Sequence, residues 1–291
     1  MTWLALDGGA LPSARLAVEH LTRFRYAEPV PASYNEARVL PSSDARQHVV
    51  STRLDIDPVT WRKEYRDYCG TRVVSFEAHT DHTELVVRAS ADVVVLAAGD
   101  PPTAGWAQLA DPRVRDRFTE ELTHTALSNP GEELADLAAV VVGNLGPSEA
   151  ARAVCALVTE RLTYTTGSTG VQTAAVQAWA DGAGVCQDFA HLAVGALRSV
   201  GVPARYVSGY LHPRADAEAG ATVTGESHAW VEWWAGDWYG WDPTNDKPAG
   251  ELHVAVGRGR DYSDVSPVKG IVAGGGAGSR LDVEVRVTRL R

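Results

Sequence analysis

Gly182-Ala183-Gly184-Val185-Cys186-Gln187-Asp188-Phe189-Ala190-His191-Leu192-Ala193 is the stretch whose reading settles the rest of the chain. Glycines break the pattern before Val185. From Phe189 onward the apolar residues Leu192, Ala193, Ala196, Leu197 and Val200 recur at three- and four-residue steps, and Gly201 and Pro203 follow. That spacing predicts an amphipathic helix over residues 185–200 with Cys186 in its first turn. A thiol at a helix start feels the positive end of the backbone dipole and unpaired N–H groups, which favour the nucleophilic thiolate. The same N–H groups can hold an oxyanion. Cys155, among Ala153, Val154 and Leu157, reads instead as a small packed hydrophobe, and Cys69 sits in the polar turn Tyr68-Cys69-Gly70-Thr71 with no histidine nearby. Three cysteines without a Cys-x-x-Cys pair give neither a disulfide framework nor a zinc site.

A cysteine nucleophile wants a histidine base and an acidic orienter. His228 opens a run ending at Trp234, and Trp238-Tyr239-Gly240-Trp241-Asp242 follows across the turn Ala235-Gly236-Asp237. A hairpin is expected. A two-residue loop places Asp242 opposite Ala229; a three-residue loop places it opposite Trp230 and puts His228, Trp230 and Asp242 on one face. Either register lets the carboxylate reach the imidazole. His191 is the rival base, but five positions along a helix is a poor angle back to Cys186. It is expected to pair with Asp188 on its own helix face and to pack. Five of the nine tryptophans lie between Trp230 and Trp241, a density that suits a core. Trp230 and Trp241 are the two expected to stand beside the catalytic groups, Trp241 as a wall of an acyl-binding cleft.

Outward from this centre the pattern divides in two. Residues 13–98 alternate in strand fashion, at 20–26, 49–56, 72–79 and 84–96, and predict an all-β domain, a small sandwich. Asp100-Pro101-Pro102-Thr103-Ala104-Gly105 is a breaker cluster and the expected boundary. Residues 99–291 then form the second domain. It opens with helices over 113–127, 132–145 and 148–162, the last capped by Ser148. Strands follow the cysteine helix at 205–211, 228–234, 238–242 and 281–290. The polar stretch 214–225 and the glycine-rich stretch 270–278 read as loops.

The chain has 291 residues, 45% apolar and 22% charged, with 27 basic against 37 acidic side chains, a net charge of −10. That is a folded globular composition with no basic tract for nucleic acid or an anionic membrane. No apolar run is long enough to cross a bilayer, and the first nine residues lack the features of a secretion signal. A soluble, cytoplasmic protein is expected.

Several blocks together resemble the bacterial transglutaminase-like family. Gly184 to Leu192 and Gly201-Val202-Pro203-Ala204-Arg205-Tyr206-Val207-Ser208-Gly209-Tyr210 are similar to its cysteine block and the strand after it. Ser227-His228-Ala229-Trp230-Val231-Glu232 and Gly240-Trp241-Asp242-Pro243-Thr244-Asn245 match its histidine and aspartate blocks, and Gly259-Arg260-Asp261-Tyr262-Ser263-Asp264-Val265 resembles the block that follows. His20, Thr22, Tyr26, Pro29, Val30, Glu36, Arg38 and Pro41 are similar to the β domain that precedes this core. One departure is the turn Tyr68-Cys69-Gly70-Thr71, where the family often has Phe-Gly-Asn.

The resemblance implies an α+β fold with a papain-like transglutaminase core behind the β domain. It implies a triad at Cys186, His228 and Asp242, the residues already chosen on physical grounds. Gln187, Asp188, His191, Trp230 and Trp241 are expected around them. The chemistry expected is acyl transfer from a peptide or protein amide through a thioester, resolved by an amine co-substrate or by water. A cysteine peptidase on the same scaffold and a non-catalytic binding module are the alternatives. No cofactor is expected, and Asp242, Asp246, Asp261 and Asp264 do not have the spacing of a calcium loop.

Overall fold

The fold was analysed in a computed structural model, which describes residues 13–214, 216–225, 227–274 and 278–291. The start of the chain, read above for a secretion signal, lies outside them. So do three positions of the glycine-rich stretch 270–278.

Six strands come first: β1 (Ser13–Val30), β2 (Ala32–Ala37), β3 (Gln47–Asp57), β4 (Trp61–Arg66), β5 (Arg72–Ala78) and β6 (His82–Leu96). Helices follow: α1 (Trp106–Leu109), α2 (Pro112–Arg117), α3 (Thr119–Leu122), α4 (Gly131–Val142) and α5 (Pro147–Arg161). The two-residue strands β7 (Thr163–Tyr164) and β8 (Ala183–Gly184) flank α6 (Ala175–Asp181) and lead into α7 (Cys186–Ser199). The remainder is β9 (Ala204–Leu211), β10 (Thr222–Gly225), β11 (His228–Trp234), β12 (Trp238–Asp242), β13 (Lys247–Pro248), β14 (His253–Gly259), α8 (Tyr262–Val265), β15 (Val268–Ala273) and β16 (Ser279–Arg289).

Four layers result. An antiparallel sheet ordered β13-β12-β11-β9-β14 forms the floor of the second domain. The helices cover one of its faces, and α7 lies at the centre of their core, with Leu192, Ala193, Val194, Ala196 and Leu197 all fully buried. The β domain is two sheets, β10-β16-β1-β6-β3 and β15-β2-β5-β4. In β1 the even-numbered residues and in β6 the odd-numbered residues turn to one face, the period-2 signature of a half-buried sheet. That face serves two cores. Leu85 and Val87 meet Phe76 of the second sheet of the sandwich, whereas Leu16, Val93 and Val285 meet Tyr210, Leu252 and Val254 of the floor sheet's domain. Where the cores join, buried His20 bonds Thr22 Oγ1 at 2.8 Å and Tyr210 Oη at 3.0 Å.

The structure differs from the sequence reading in several ways. The closing strand does not finish the second domain: β16 pairs with β1 across eleven residues, and β15 pairs with β2. The β domain is therefore built from both ends of the described chain. Residues 222–225, read as loop, add β10 beside β16, and residues 268–273 form β15 within the glycine-rich stretch. Residues 113–127 are not one helix. Thr119 and Thr123 turn their hydroxyls back onto the carbonyls of Arg115, Asp116 and Thr119, and the segment breaks into short turns. Gly146, not Ser148, is the N-cap of α5, because Pro147 takes the first helical position, where its missing N–H costs nothing. Ser148 donates instead to the carbonyl of Pro102.

Candidate active site

The extended Val185 (φ −110°, ψ 179°) delivers the chain into α7, so Cys186 is its first helical residue. No side chain caps the helix from the N-cap position. Asp188 reaches back instead: its Oδ2 accepts from the Val185 N–H at 2.8 Å and from the Thr169 hydroxyl at 2.5 Å. This fold-back requires Gly184, since a Cβ there would meet the Asp188 Cβ at 2.7 Å. Asp188 is fully buried, its Oδ1 has no hydrogen-bond partner, and burial pushes its carboxyl upward. Gln187 is buried beside it, its amide turned to the carbonyl of Gly170.

The hairpin takes the three-residue register. Val231 pairs with Trp241 and Trp234 with Trp238, so Asp242 falls opposite Trp230, diagonal to His228. All three share one face. His228 donates from Nε2 to Asp242 Oδ2 at 2.8 Å, and the Cys186 thiol sits close enough to the same imidazole to act on its charge. With Nε2 engaged, Nδ1 is the ring nitrogen left for the sulfur. Burial disfavours a charged imidazole here, but the bonds and charges of Asp242 and Cys186 outweigh it and lift His228 to about 9.

Asp242 is fully buried. Its Oδ1 accepts from the backbone N–H groups of Thr244 (3.0 Å) and Asn245 (3.2 Å), and its Oδ2 from the Asn245 amide at 2.7 Å. Burial alone would raise its pKa; the bonds from His228 and His253 carry it far below the usual carboxylate range.

The remaining expected residues divide. Trp230 is buried between the two histidines, its ring 6.3 Å from His228 and 5.3 Å edge-on from His253. Trp241 points to the other face of the sheet, where it packs 6.2 Å from Trp233 and donates to Asp246 at 3.3 Å. Among the described residues no hydrogen bond or ring contact joins it to the three catalytic candidates. His191 does not pair with Asp188. Its Nε2 accepts the Tyr262 N–H at 3.1 Å, its ring lies 4.8 Å from Tyr206, and burial pushes it down to about 4. A neutral, fully buried imidazole turned to α8 is no base for Cys186.

The other thiols sit where burial opposes ionisation. Cys69 is pushed up to about 11, and Cys155, fully buried, is raised further.

His253 was missed by the sequence reading. It lies on β14, and its Nε2 donates to the same Asp242 oxygen at 3.1 Å. The run Leu252-His253-Val254-Ala255-Val256-Gly257 is apolar on both faces, with no alternation to mark a strand; the one available signal was a lone histidine within it. His228, Asp242 and His253 offer three ligand atoms within 4.8 Å of one another, the geometry of a metal cluster. They are bonded to each other instead, and one carboxylate oxygen already accepts three protons there. The other acidic residues considered for calcium are engaged separately: Asp261 caps α8, Asp264 pairs with Arg260, and Asp246 holds Trp241.

A helix-start cysteine stands near a strand-borne histidine and aspartate on a papain-like floor, and comparison with known proteins gives the family. Residues 16–94 match the bacterial transglutaminase-like N-terminal region, and residues 135–245 match the transglutaminase-like superfamily. The chain belongs to the bacterial transglutaminase-like family, a family of cysteine-based enzymes. It is 44% identical to an uncharacterised protein of Mycobacterium leprae, covering 95% of this chain and 99% of that one. It is 33% identical to an uncharacterised protein of Mycobacterium tuberculosis, over 94% and 92% of the two chains. A solved structure from Cytophaga hutchinsonii, provisionally titled a cysteine protease, shares the fold with a TM-score of 0.76 at 20% identity, over 96% and 92% of the chains. No helix among the described residues is long and apolar enough to cross a membrane.

Proposed function

We propose that this protein is a Cys–His–Asp acyl-transfer enzyme that acts on a peptide or protein amide through a thioester. The observation that carries the reading is the shared imidazole: His228 is bonded to buried Asp242 on one side and reaches Cys186 on the other. Asp242 fixes the ring and favours its protonated form, and the sulfur attacks once its proton has passed to His228 Nδ1. The thiolate attacks the amide carbonyl, and the carbonyl π pair moves onto oxygen. The Cys186 and Gln187 N–H groups, at the start of α7, receive that oxyanion. His228 gives its Nδ1 proton to the departing amine as the C–N bond breaks, leaving the acyl group on sulfur. A second amine or water then attacks the thioester; His228 removes its proton, and the thiolate leaves. No cofactor enters this sequence, and the three unpaired thiols are in keeping with a cytoplasmic setting.

Incubating glutamine-containing peptides with and without a primary amine tests the reading by product mass. Amine incorporation with loss of ammonia marks transamidation; deamidation of the side chain marks hydrolysis; two backbone fragments mark a peptidase using the same three residues. Absence of all three products, with Cys186 alkylated no faster than an ordinary thiol at mildly acid pH, would leave a binding module.

A further inference from the structure

Asp242 is shared between two imidazoles, only one of which reaches the sulfur. We infer that His253 is a positioning residue of the catalytic pair, a neutral N–H donor that aims Asp242 at His228, and that the β domain sets its place through Gln47. The inference rests on the Cys186–His228–Asp242 reading.

The tautomer of His253 follows from its second bond. The Gly250 N–H donates to His253 Nδ1 at 3.2 Å, so the ring proton is on Nε2 and points at Asp242 Oδ2, 3.1 Å away. Asp242's remaining donors, Thr244 and Asn245, belong to the turn that carries Asp242 and move with it. Among the described residues, His253 is the one donor besides His228 that holds the carboxylate from another strand. A neutral donor orders the carboxylate without cancelling its charge, so that charge stays available to His228.

His253 keeps this state because of what surrounds it. Burial disfavours its cation, Asp242 opposes that, and the charges of His228 and Lys247 add to it, so that His253 is lowered overall. Asp44, Arg46, Arg66, Glu232 and Arg258 stand across a cavity of about 370 Å³ between the β domain and the floor, which His253 also lines. Protonation of Nδ1 would further cost the Gly250 bond.

Gln47, at the start of β3, ties the β domain to this strand. Its Oε1 accepts from the Ala255 N–H at 2.9 Å and its Nε2 donates to the Ala255 carbonyl at 2.7 Å. The side chain thus acts as one residue of an added strand on the open edge of β14. It does so where the pairing of β14 with β9 slips, between Ala255 and Gly257, two residues beyond His253. It also donates to the Ser42 carbonyl, which anchors the amide within its own domain.

The test is the pH profile of Cys186 alkylation by iodoacetamide, read by peptide mass, with melting temperatures measured alongside. His253→Asn keeps an acceptor for the Gly250 N–H but is too short to reach Asp242; His253→Gln extends its amide nitrogen to the place of Nε2. Asn is expected to move the acid limb of the profile up by about one pH unit, a roughly tenfold slower reaction at a given acid pH, and Gln to restore most of it. Gln47→Leu is expected to move the limb in the same direction by less. An unshifted profile in His253→Asn overturns the positioning role, as does a Gln variant no better than Asn. A Gln47→Leu protein that melts lower with an unshifted profile removes the β domain's part. If wild-type Cys186 itself reacts like an ordinary thiol, the parent reading falls, and this one with it.

Discussion

Asp242 and Glu232 are buried carboxylates on the same face of the same sheet, in neighbouring strands, and their partners could hardly differ more. Glu232 is held by two arginines, Arg205 at 2.5 Å and Arg258 at 2.9 Å, and Arg258 continues to Asp44 at 2.9 Å. Asp242 is held by two histidines, an amide and two backbone N–H groups. Burial works against the charge at both sites and loses at both; Glu232 ends at about 2, carried there by Arg205 and Arg258. Guanidinium keeps its proton throughout the range of water chemistry, whereas imidazole gives it up near neutrality. One carboxylate is therefore locked into architecture. The other is coupled to a proton that can move.

The comparison breaks first at the nucleophile. Cys186→Ala is expected to abolish turnover, a loss of at least about 10³-fold, while the protein stays folded. Asp242→Asn should cost about 10²–10⁴-fold in kcat, with His228 still in place but less basic. Glu232→Gln should show the reverse: it leaves two partly buried guanidiniums short of their carboxylate and costs up to about 3 kcal/mol of stability by denaturant melt, with kcat of the folded fraction little changed. A Glu232→Gln protein of normal stability and lost activity would end the distinction.

Melting temperature against pH sharpens it. His228 is raised from 6.5 to about 9, so its stabilising contribution is full below pH 6.5 and fades as pH climbs through 9. Glu232 is lowered from 4.5 to about 2, so its contribution is full above pH 4.5 and fades as pH falls towards 2. Differences between wild type and His228→Gln, or wild type and Glu232→Gln, should therefore vanish at opposite ends of the scale. The smallest effect belongs to the other thiols: Cys69→Ala and Cys155→Ala should leave turnover unchanged in the same peptide assay.

The candidate site was legible because its parts are local. Helix spacing after Cys186 and the turn Ala235-Gly236-Asp237 decide two short elements, and the hairpin register follows from loop length. His253 was not legible, because β14 is apolar on both faces and its partner β9 lies forty residues back. Nor was the company of β16, whose alternation shows a strand but not which sheet receives it. Trp241 shares a strand with Asp242 but points to the opposite face, where it packs with Trp233 against the helix-covered core that Cys186 also borders. The threonines that break residues 113–127 carry an ordinary helical pattern and reveal themselves only through their bonds to the carbonyls behind them.

The pairing of β1 with β16 bears on how the molecule comes into being. A ribosome releases β1 first, yet its partner emerges more than 240 residues later, after the cysteine, the histidine and the aspartate have all been made. The sandwich cannot close on its own schedule, and β14 cannot receive Gln47 until it too has been synthesised. A nascent or clipped chain that stops before β16 would carry Cys186, His228 and Asp242 while β1 still lacks its partner on that edge.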